Sequence, residues 1–204
     1  MPPKVIIFDL LTALLDSWTL WDESAGGDAL PWRSRYLEIT FAAGKYVPYE
    51  NFVRQAASDV GLPPSVPEKL IQNWNKLQPW PEVPSVLRQL KDKGYKLGVV
   101  TNCSKKMGNI AADRAGEGMF DAVVTAEESG FYKPVKEAYM AILDKMGVTA
   151  EEALFVAGSA GDVQGATNAG MKVVWNNHVG LKPKGEAVPL REGRTMDDAL
   201  RDYL

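Results

Sequence analysis

The sequence predicts an α/β fold: a doubly wound parallel sheet interrupted by an inserted helical cap. Three observations predict it. There are short apolar runs without polar alternation, helical spacing between them, and one long stretch of helical spacing without a strand. Continuous apolar runs mark parallel strands, because crossover helices bury the sheet on both faces.

In chain order, the first such run is Val5–Phe8, ended by Asp9. Residues 16–81 then break the alternation. They are rich in Trp, Tyr and Arg, and Leu37, Phe41, Phe52, Val53, Leu70, Ile71 and Trp74 fall at helical spacings. This segment reads as the cap, with residues 1–15 and 82–204 forming the α/β core. The insertion must leave and rejoin at the carboxyl ends of the strands, where open α/β sheets bind ligands. Prolines at 63, 64, 67, 79, 81 and 84 punctuate its return. Val83, Val86, Leu87 and Leu90 recur at i, i+3, i+4 and i+7, and Lys91, Lys93 and Gly94 close that helix. Further strands are predicted at 96–100, 122–124, 153–156 and 172–175. Another helix follows Pro134 through Met146 and stops at Gly147. Strand–helix alternation from Glu82 onward supports double winding. The cluster Trp18, Trp21 and Trp32 is expected in the cap core, with part of it lining a small apolar pocket.

Composition excludes several function classes. With 204 residues, 46% apolar and 24% charged, the chain has the makings of a real core and is neither fibrous nor disordered. Lys+Arg 23 against Asp+Glu 26 gives a net charge of −3, which argues against a nucleic-acid partner. Asp9 interrupts the apolar run 5–15, so it does not read as a signal-peptide core, and no stretch approaches the ~18 apolar residues of a membrane span. The single cysteine, Cys103, excludes an internal disulfide and is expected to serve packing, which suits the cytoplasm. The single histidine, His178, is expected in a loop and leaves multi-histidine metal sites without ligands. Hydrolytic chemistry therefore falls to carboxylates, Lys, Ser/Thr or Arg. The expected partner is a small-molecule substrate, and a homodimer remains open.

Four segments place polar groups just past core strands: Asp9 with Leu11 and Thr12, Thr101-Asn102, Lys133-Pro134, and Gly158-Ser159-Ala160-Gly161-Asp162. Converging on one rim, a carboxylate can act as nucleophile, and a lysine within about 4–6 Å holds it ionised. Each segment also has a structural reading. Asp9 could be a satisfied core carboxylate, although an unused buried charge is costly. Lys133-Pro134 could be a helix start, since proline favours the first helical position. Thr101 and Asn102, and likewise Asp162, could cap the helices ahead of them.

In this order the four segments resemble the haloacid dehalogenase superfamily, whose core is Rossmann-like, and within it most closely the 2-haloacid dehalogenases of (S) specificity. The resemblance implies a nucleophile at Asp9, substrate contacts at Thr101 and Asn102, and a catalytic lysine at Lys133. Tyr139, six residues after that lysine, also matches. Trp32-Arg33 followed by Tyr36-Leu37-Glu38 is similar to the segment whose arginine faces the departing halide, pointing to Arg33, with Arg35 as rival. The implied reaction converts a 2-haloalkanoic acid into a 2-hydroxy acid through an aspartyl ester. Asp162 activates the hydrolytic water, Lys133 and Thr101 hold the substrate carboxylate, Arg33 and Asn102 receive the halide, and Tyr139 orients its neighbours.

The departures carry equal weight. The phosphatase branch of the superfamily has a second Asp two residues after the nucleophile, as proton donor, where this chain has Leu11. An alkoxide leaving group needs that proton and a halide does not. Gly158 stands where that branch has a metal-binding Asp, so neither a metal nor another cofactor is expected. The dehalogenase branch typically has Tyr, Gly and Thr where Leu11, Thr12 and Ala13 stand here, leaving Thr12 as the hydroxyl toward substrate. Its polar pair beside the later Asp is reduced to Ala157 and Ser159. Two alternatives follow: a Mg²⁺-dependent phosphatase using Asp9, the Leu11 carbonyl and Asp162, or a non-catalytic binding protein on the same scaffold.

Overall fold

The computed structural model describes residues 2–204. Strand β1 (Val5–Phe8) is followed by helices α1 (Ser17–Ala25), α2 (Leu30–Ala43), α3 (Tyr49–Asp59) and α4 (Ser65–Gln72). Then come α5 (Val83–Asp92), β2 (Lys96–Thr101), α6 (Lys105–Gly116), β3 (Ala122–Thr125), α7 (Ala126–Ser129), α8 (Lys136–Met146), β4 (Ala153–Ala157), α9 (Ala160–Asn168), β5 (Lys172–Asn176), β6 (Arg191–Gly193) and α10 (Met196–Ala199). The strands form one parallel sheet in the order β3-β2-β1-β4-β5-β6.

Alternation along β1 shows why apolar runs become central strands. Ile6 and Phe8 face one core with α5, α6 and the helices of 17–72, while Val5 and Ile7 face the other with α8 and α9. All four are buried, each side chain contributing on the order of 1.5–3 kcal/mol. Asp9 follows β1 and Ser159 follows β4, and these neighbouring strands wind outward in opposite directions. That is the switch point where such sheets open a ligand crevice.

All five expected strands are present, each ending at or one residue beyond its expected limit. The sixth, Arg191–Gly193, has no apolar run to announce it. Residues 17–76 are helical apart from their connections, and the two ends of this segment lie side by side: Asp16 N–H donates to Gln78 O (2.9 Å) and Trp80 N–H to Leu14 O (3.1 Å). Trp21 and Trp32 pack at 4.3 Å between ring centroids within this helical layer. Among the described residues no helix is long and apolar enough to cross a membrane.

Three capping expectations are corrected. Helix α6 is capped by Ser104, which accepts from Met107 N–H, and not by Thr101 or Asn102. Helix α9 is capped by Ser159, and Asp162 lies inside its first turn. Helix α8 begins at Lys136 behind Val135, so Pro134 does not hold its first position.

Candidate active site

The side chains singled out in the sequence meet at the carboxyl ends of β1, β2 and β4, beneath α1 and α2. Asp9, Lys133, Asp162 and Arg33 are all buried, at 7%, 2%, 4% and 4% exposure. Charges so removed from water are tolerable only when paired.

Lys133 Nζ donates to Asp9 Oδ1 at 2.7 Å and to Asp162 Oδ2 at 3.0 Å. Asp162 accepts twice more, at Oδ1 from the Tyr139 hydroxyl (2.7 Å) and at Oδ2 from the Ser159 hydroxyl (3.1 Å). The two carboxylates differ in consequence. Burial raises the Asp9 pKa, but the Lys133 charge and the donors of Lys133 and Thr12 outweigh it and leave Asp9 below its ordinary value. For Asp162 burial prevails, helped by repulsion from Asp9, and its pKa lies above the ordinary value despite Lys133 and Tyr139. Burial also disfavours the Lys133 ammonium, yet Asp162 and Asp9 hold it protonated, with its pKa raised.

The two oxygens of Asp9 are unlike each other. Oδ2 accepts from Thr12 N–H (3.1 Å), the Thr12 hydroxyl (2.7 Å) and Ala13 N–H (3.2 Å), whereas Oδ1 carries the Lys133 contact. The turn supplying these donors is held from behind at three successive carbonyls. Ser17 Oγ donates to Leu11 O, Trp80 Nε1 to Thr12 O (3.2 Å) and Asn176 Nδ2 to Ala13 O (2.9 Å). Gly158 completes the support, since a Cβ there would lie 2.1 Å from Ala13 N. Gly165 does the same beside Tyr139, whose hydroxyl a Cβ would meet at 2.5 Å. Ser17, Trp80, Asn176 and Gly158 thus build the site without carrying chemistry. Sequence reasoning missed the first three, because nothing local marks a side chain that reaches a distant carbonyl.

Arg33 enters from α2. Its guanidinium lies 3.6 Å from the Trp18 ring centroid, and Nη2 donates to Ser17 Oγ at 2.7 Å. Nη1 is buried without a partner. Burial lowers the Arg33 pKa to about 10, which leaves it a cation at neutral pH. Arg35, its rival, is half-buried and tied to Asp59 (2.7 Å) and Glu38 (3.1 Å), and does not line the cavity.

Several residues expected against substrate have other partners. Thr12 is committed to Asp9. Asn102 grips the Lys133 main chain, Nδ2 donating to the carbonyl (3.1 Å) and Oδ1 accepting from N–H (2.7 Å). Ser159 serves Asp162, and the Thr101 hydroxyl meets Cys103 Sγ at 3.3 Å. Burial pushes the Cys103 thiol up to about 12, consistent with its packing role. His178 lies in the turn after β5, stacked on Trp80 at 3.7 Å. The cavity left among these groups is about 50 Å³, with Trp18, Trp21, Tyr36 and Phe41 opposite Asp9, Lys133 and Asp162.

The geometry does not suit a divalent cation. The Lys133 ammonium lies between the two carboxylates, the Leu11 carbonyl is engaged by Ser17, and the Thr12–Ala13 backbone leaves no room for any side chain at Gly158. Mg²⁺ is held by one or two carboxylates with waters completing its octahedron, and here the lysine ammonium already occupies the ground between both carboxylates.

Comparison with known proteins bears on this arrangement. The family model of haloacid dehalogenase-like hydrolases matches residues 6–176. The (S)-2-haloacid dehalogenase of Pseudomonas sp. (strain YL) is 30% identical over 196 residues, covering 87% of this chain and 84% of that protein. Over half of this chain (50%) and 46% of that protein, the glyceraldehyde 3-phosphate phosphatase of Methanothermobacter thermautotrophicus is 38% identical. Among solved structures, the L-2-haloacid dehalogenase RSc1362 superposes with a TM-score of 0.87 at 28% identity, covering 100% of this chain and 99% of that one.

Proposed function

The chain belongs to the haloacid dehalogenase-like hydrolases, and from that premise we propose that it displaces halide from small 2-haloalkanoic acids through an ester formed on Asp9. The observation that carries this reading is the asymmetry of Asp9. Three donors hold Oδ2, while Oδ1 accepts from Lys133 alone and Asp9 lines the cavity.

In the first step Asp9 Oδ1 attacks C2 of the substrate from the side opposite the halogen. The C–O bond forms as the carbon–halogen bond breaks, the electron pair leaves with the halide, and C2 inverts. Arg33 Nη1, a buried cationic donor with no partner, receives the halide in a water-poor pocket, assisted by the second N–H of Asn102. The third N–H of Lys133, with main-chain N–H groups of the rim, holds the substrate carboxylate.

In the second step water attacks the Asp9 Cγ. Asp162, with its raised pKa, takes the proton, and the tetrahedral oxyanion develops on Oδ2, already surrounded by Thr12 and Ala13 donors. Collapse breaks the Cγ–Oδ1 bond as Asp162 returns its proton to the departing Oδ1, so the hydroxy acid leaves with Oδ1, the carboxylate regains an oxygen from water, and the second water proton passes to solvent. Tyr139 and Ser159 orient Asp162, and the helical segment 16–81 acts as the cap carrying Arg33. No step calls for a metal or another cofactor, and the buried thiol suits the cytoplasm.

The test is parallel measurement of halide release from 2-chloropropanoate and phosphate release from phosphomonoesters, each with EDTA and with added Mg²⁺. Halide release unaffected by either addition is expected. Mg²⁺-stimulated phosphate release exceeding halide release would replace this reading by the phosphatase one. Binding without turnover of either substrate would favour a non-catalytic protein.

A further inference from the structure

Around most of its rim the helical layer is latched to the sheet domain by polar contacts. Ser104 Oγ donates to Glu50 (2.8 Å), Tyr132 OH to Val47 O (2.6 Å), Tyr132 N–H to Gly44 O (2.8 Å) and Trp74 Nε1 to Met107 O (2.9 Å). One seam is different. Among the described residues no hydrogen bond or ion pair joins the 34–41 portion of α2 to the loop 179–185. What meets there is the Phe41 ring against Gly161, where a Cβ would come within 2.3 Å of Phe41 Cε2, and Lys184 Nζ at 5.4 Å from the ring centroid.

Outside this seam lies a second cavity of about 250 Å³, which shares Leu37, Phe41, Ser159 and Leu181 with the inner one. Lys182 and Lys184 line it and are exposed, and neither forms an ion pair among the described residues. Glu38, the acid at its rim, is paired with Arg35 at 3.1 Å. The loop is pinned at both ends. Asn177 binds both main-chain groups of Leu181 (2.7 and 2.9 Å), and Gln164 Oε1 accepts from Glu186 N–H and Ala187 N–H (2.9 Å each). Residues 182–185 span the interval between these anchors.

We propose that this seam is the substrate entrance: Lys182 and Lys184 collect a small monocarboxylate in the outer cavity, and it passes Phe41 to reach Arg33 and Asp9. The proposal rests on the reading of the inner cavity given above. A chain of net charge −3 repels an anion at long range, so two unpaired cations at one opening concentrate it there. An anion pairing with Lys184 also competes with the cation–π contact, which links arrival of the substrate to release of the Phe41 ring.

Cys103 is buried, so Lys184→Cys provides a single accessible thiol, and Lys93→Cys provides an exposed control at the opposite end of the sheet. Each variant is compared with itself before and after modification by a bulky neutral maleimide. Association of sodium propanoate is followed by stopped-flow tryptophan fluorescence, since Trp18 and Trp21 line the inner cavity, alongside halide release from 2-chloropropanoate. Modification at 184 is expected to lower both the association rate and kcat/KM about tenfold or more, and modification at 93 to leave them unchanged. The double variant Lys182→Gln, Lys184→Gln should lose kcat/KM about threefold at low salt and converge with the parent near 1 M, where screening acts within about 3 Å. Unchanged association after modification at 184 overturns the entrance alone. A parent that binds propanoate without releasing halide overturns the dehalogenase reading while association still tests the entrance. A parent that neither binds nor turns over overturns both.

Discussion

The site has two halves built by different means. On the core side Asp9, Lys133, Asp162, Tyr139 and Ser159 form a hydrogen-bonded network whose charged atoms all have partners, mounted on strand ends and the helices that follow them. On the cap side Arg33 is held by stacking on Trp18 and one bond to Ser17, with Nη1 left open. A satisfied network fixes reacting groups in place, whereas a guanidinium clamped by aromatic rings keeps a donor for something that arrives. On the function proposed above, the contrast assigns bond making to the core half and anion recognition to the half that carries Arg33.

That division can be broken in order of expected effect. Asp9→Asn removes the nucleophile and should lower kcat on the order of 10⁴-fold or more, with an unchanged circular dichroism spectrum. Asp162→Asn should leave the first step working, so that halide appears in a single stoichiometric burst and the ester accumulates, visible by intact mass. Wild-type steady turnover would remove Asp162 from the second step. Arg33→Lys keeps the charge but loses the planar fork, and should lower kcat about 10²-fold, while Arg35→Lys stays within about twofold of the parent. The reverse ranking would move the halide role two positions along α2.

Tyr139→Phe should have the smallest effect, a few-fold in kcat at neutral pH, together with a directional change in the pH profile. The Tyr139 hydroxyl stabilises the ionised form of Asp162. Without it the Asp162 pKa rises further, and because the base must be ionised to accept a proton, the acid limb of kcat should move to higher pH. A profile that keeps its acid limb would mean that Asp162 does not govern the second step.

Asp9, and Ser159 with Asp162, were legible in the sequence because they follow apolar runs that become β1 and β4, whereas Lys133 lies beyond β3 and α7 rather than directly past a strand. Arg33 was singled out beside its aromatic neighbours, with Arg35 as rival; the structure buries Arg33 in the cavity wall and ties Arg35 to Asp59 and Glu38. Thr12, Asn102 and Ser159 line the cavity, yet their hydrogen bonds run to Asp9, the Lys133 backbone and Asp162. A side chain's type limits what it can donate, but its partner depends on chain segments far away in sequence. The same reason hid Ser17, Trp80 and Asn176, which hold the turn of Leu11, Thr12 and Ala13 from behind. Strand β6 escaped because Arg191, Glu192 and Gly193, at a sheet edge, carry no hydrophobic signal. The departures Leu11 and Gly158 read as losses in sequence, while in the structure Gly158 is the residue that lets the Thr12–Ala13 backbone reach Asp9.

The central claim is that Asp9 forms the ester and that water opens it at the Asp9 carbonyl. A single turnover in ¹⁸O-water, with enzyme in excess over 2-chloropropanoate, followed by mass analysis of the Asp9 peptide and of the hydroxy acid, tests it most directly. The account predicts label in the Asp9 carboxylate and none in the first equivalent of product. Label carried directly into the hydroxy acid, with Asp9 unlabelled, would contradict it.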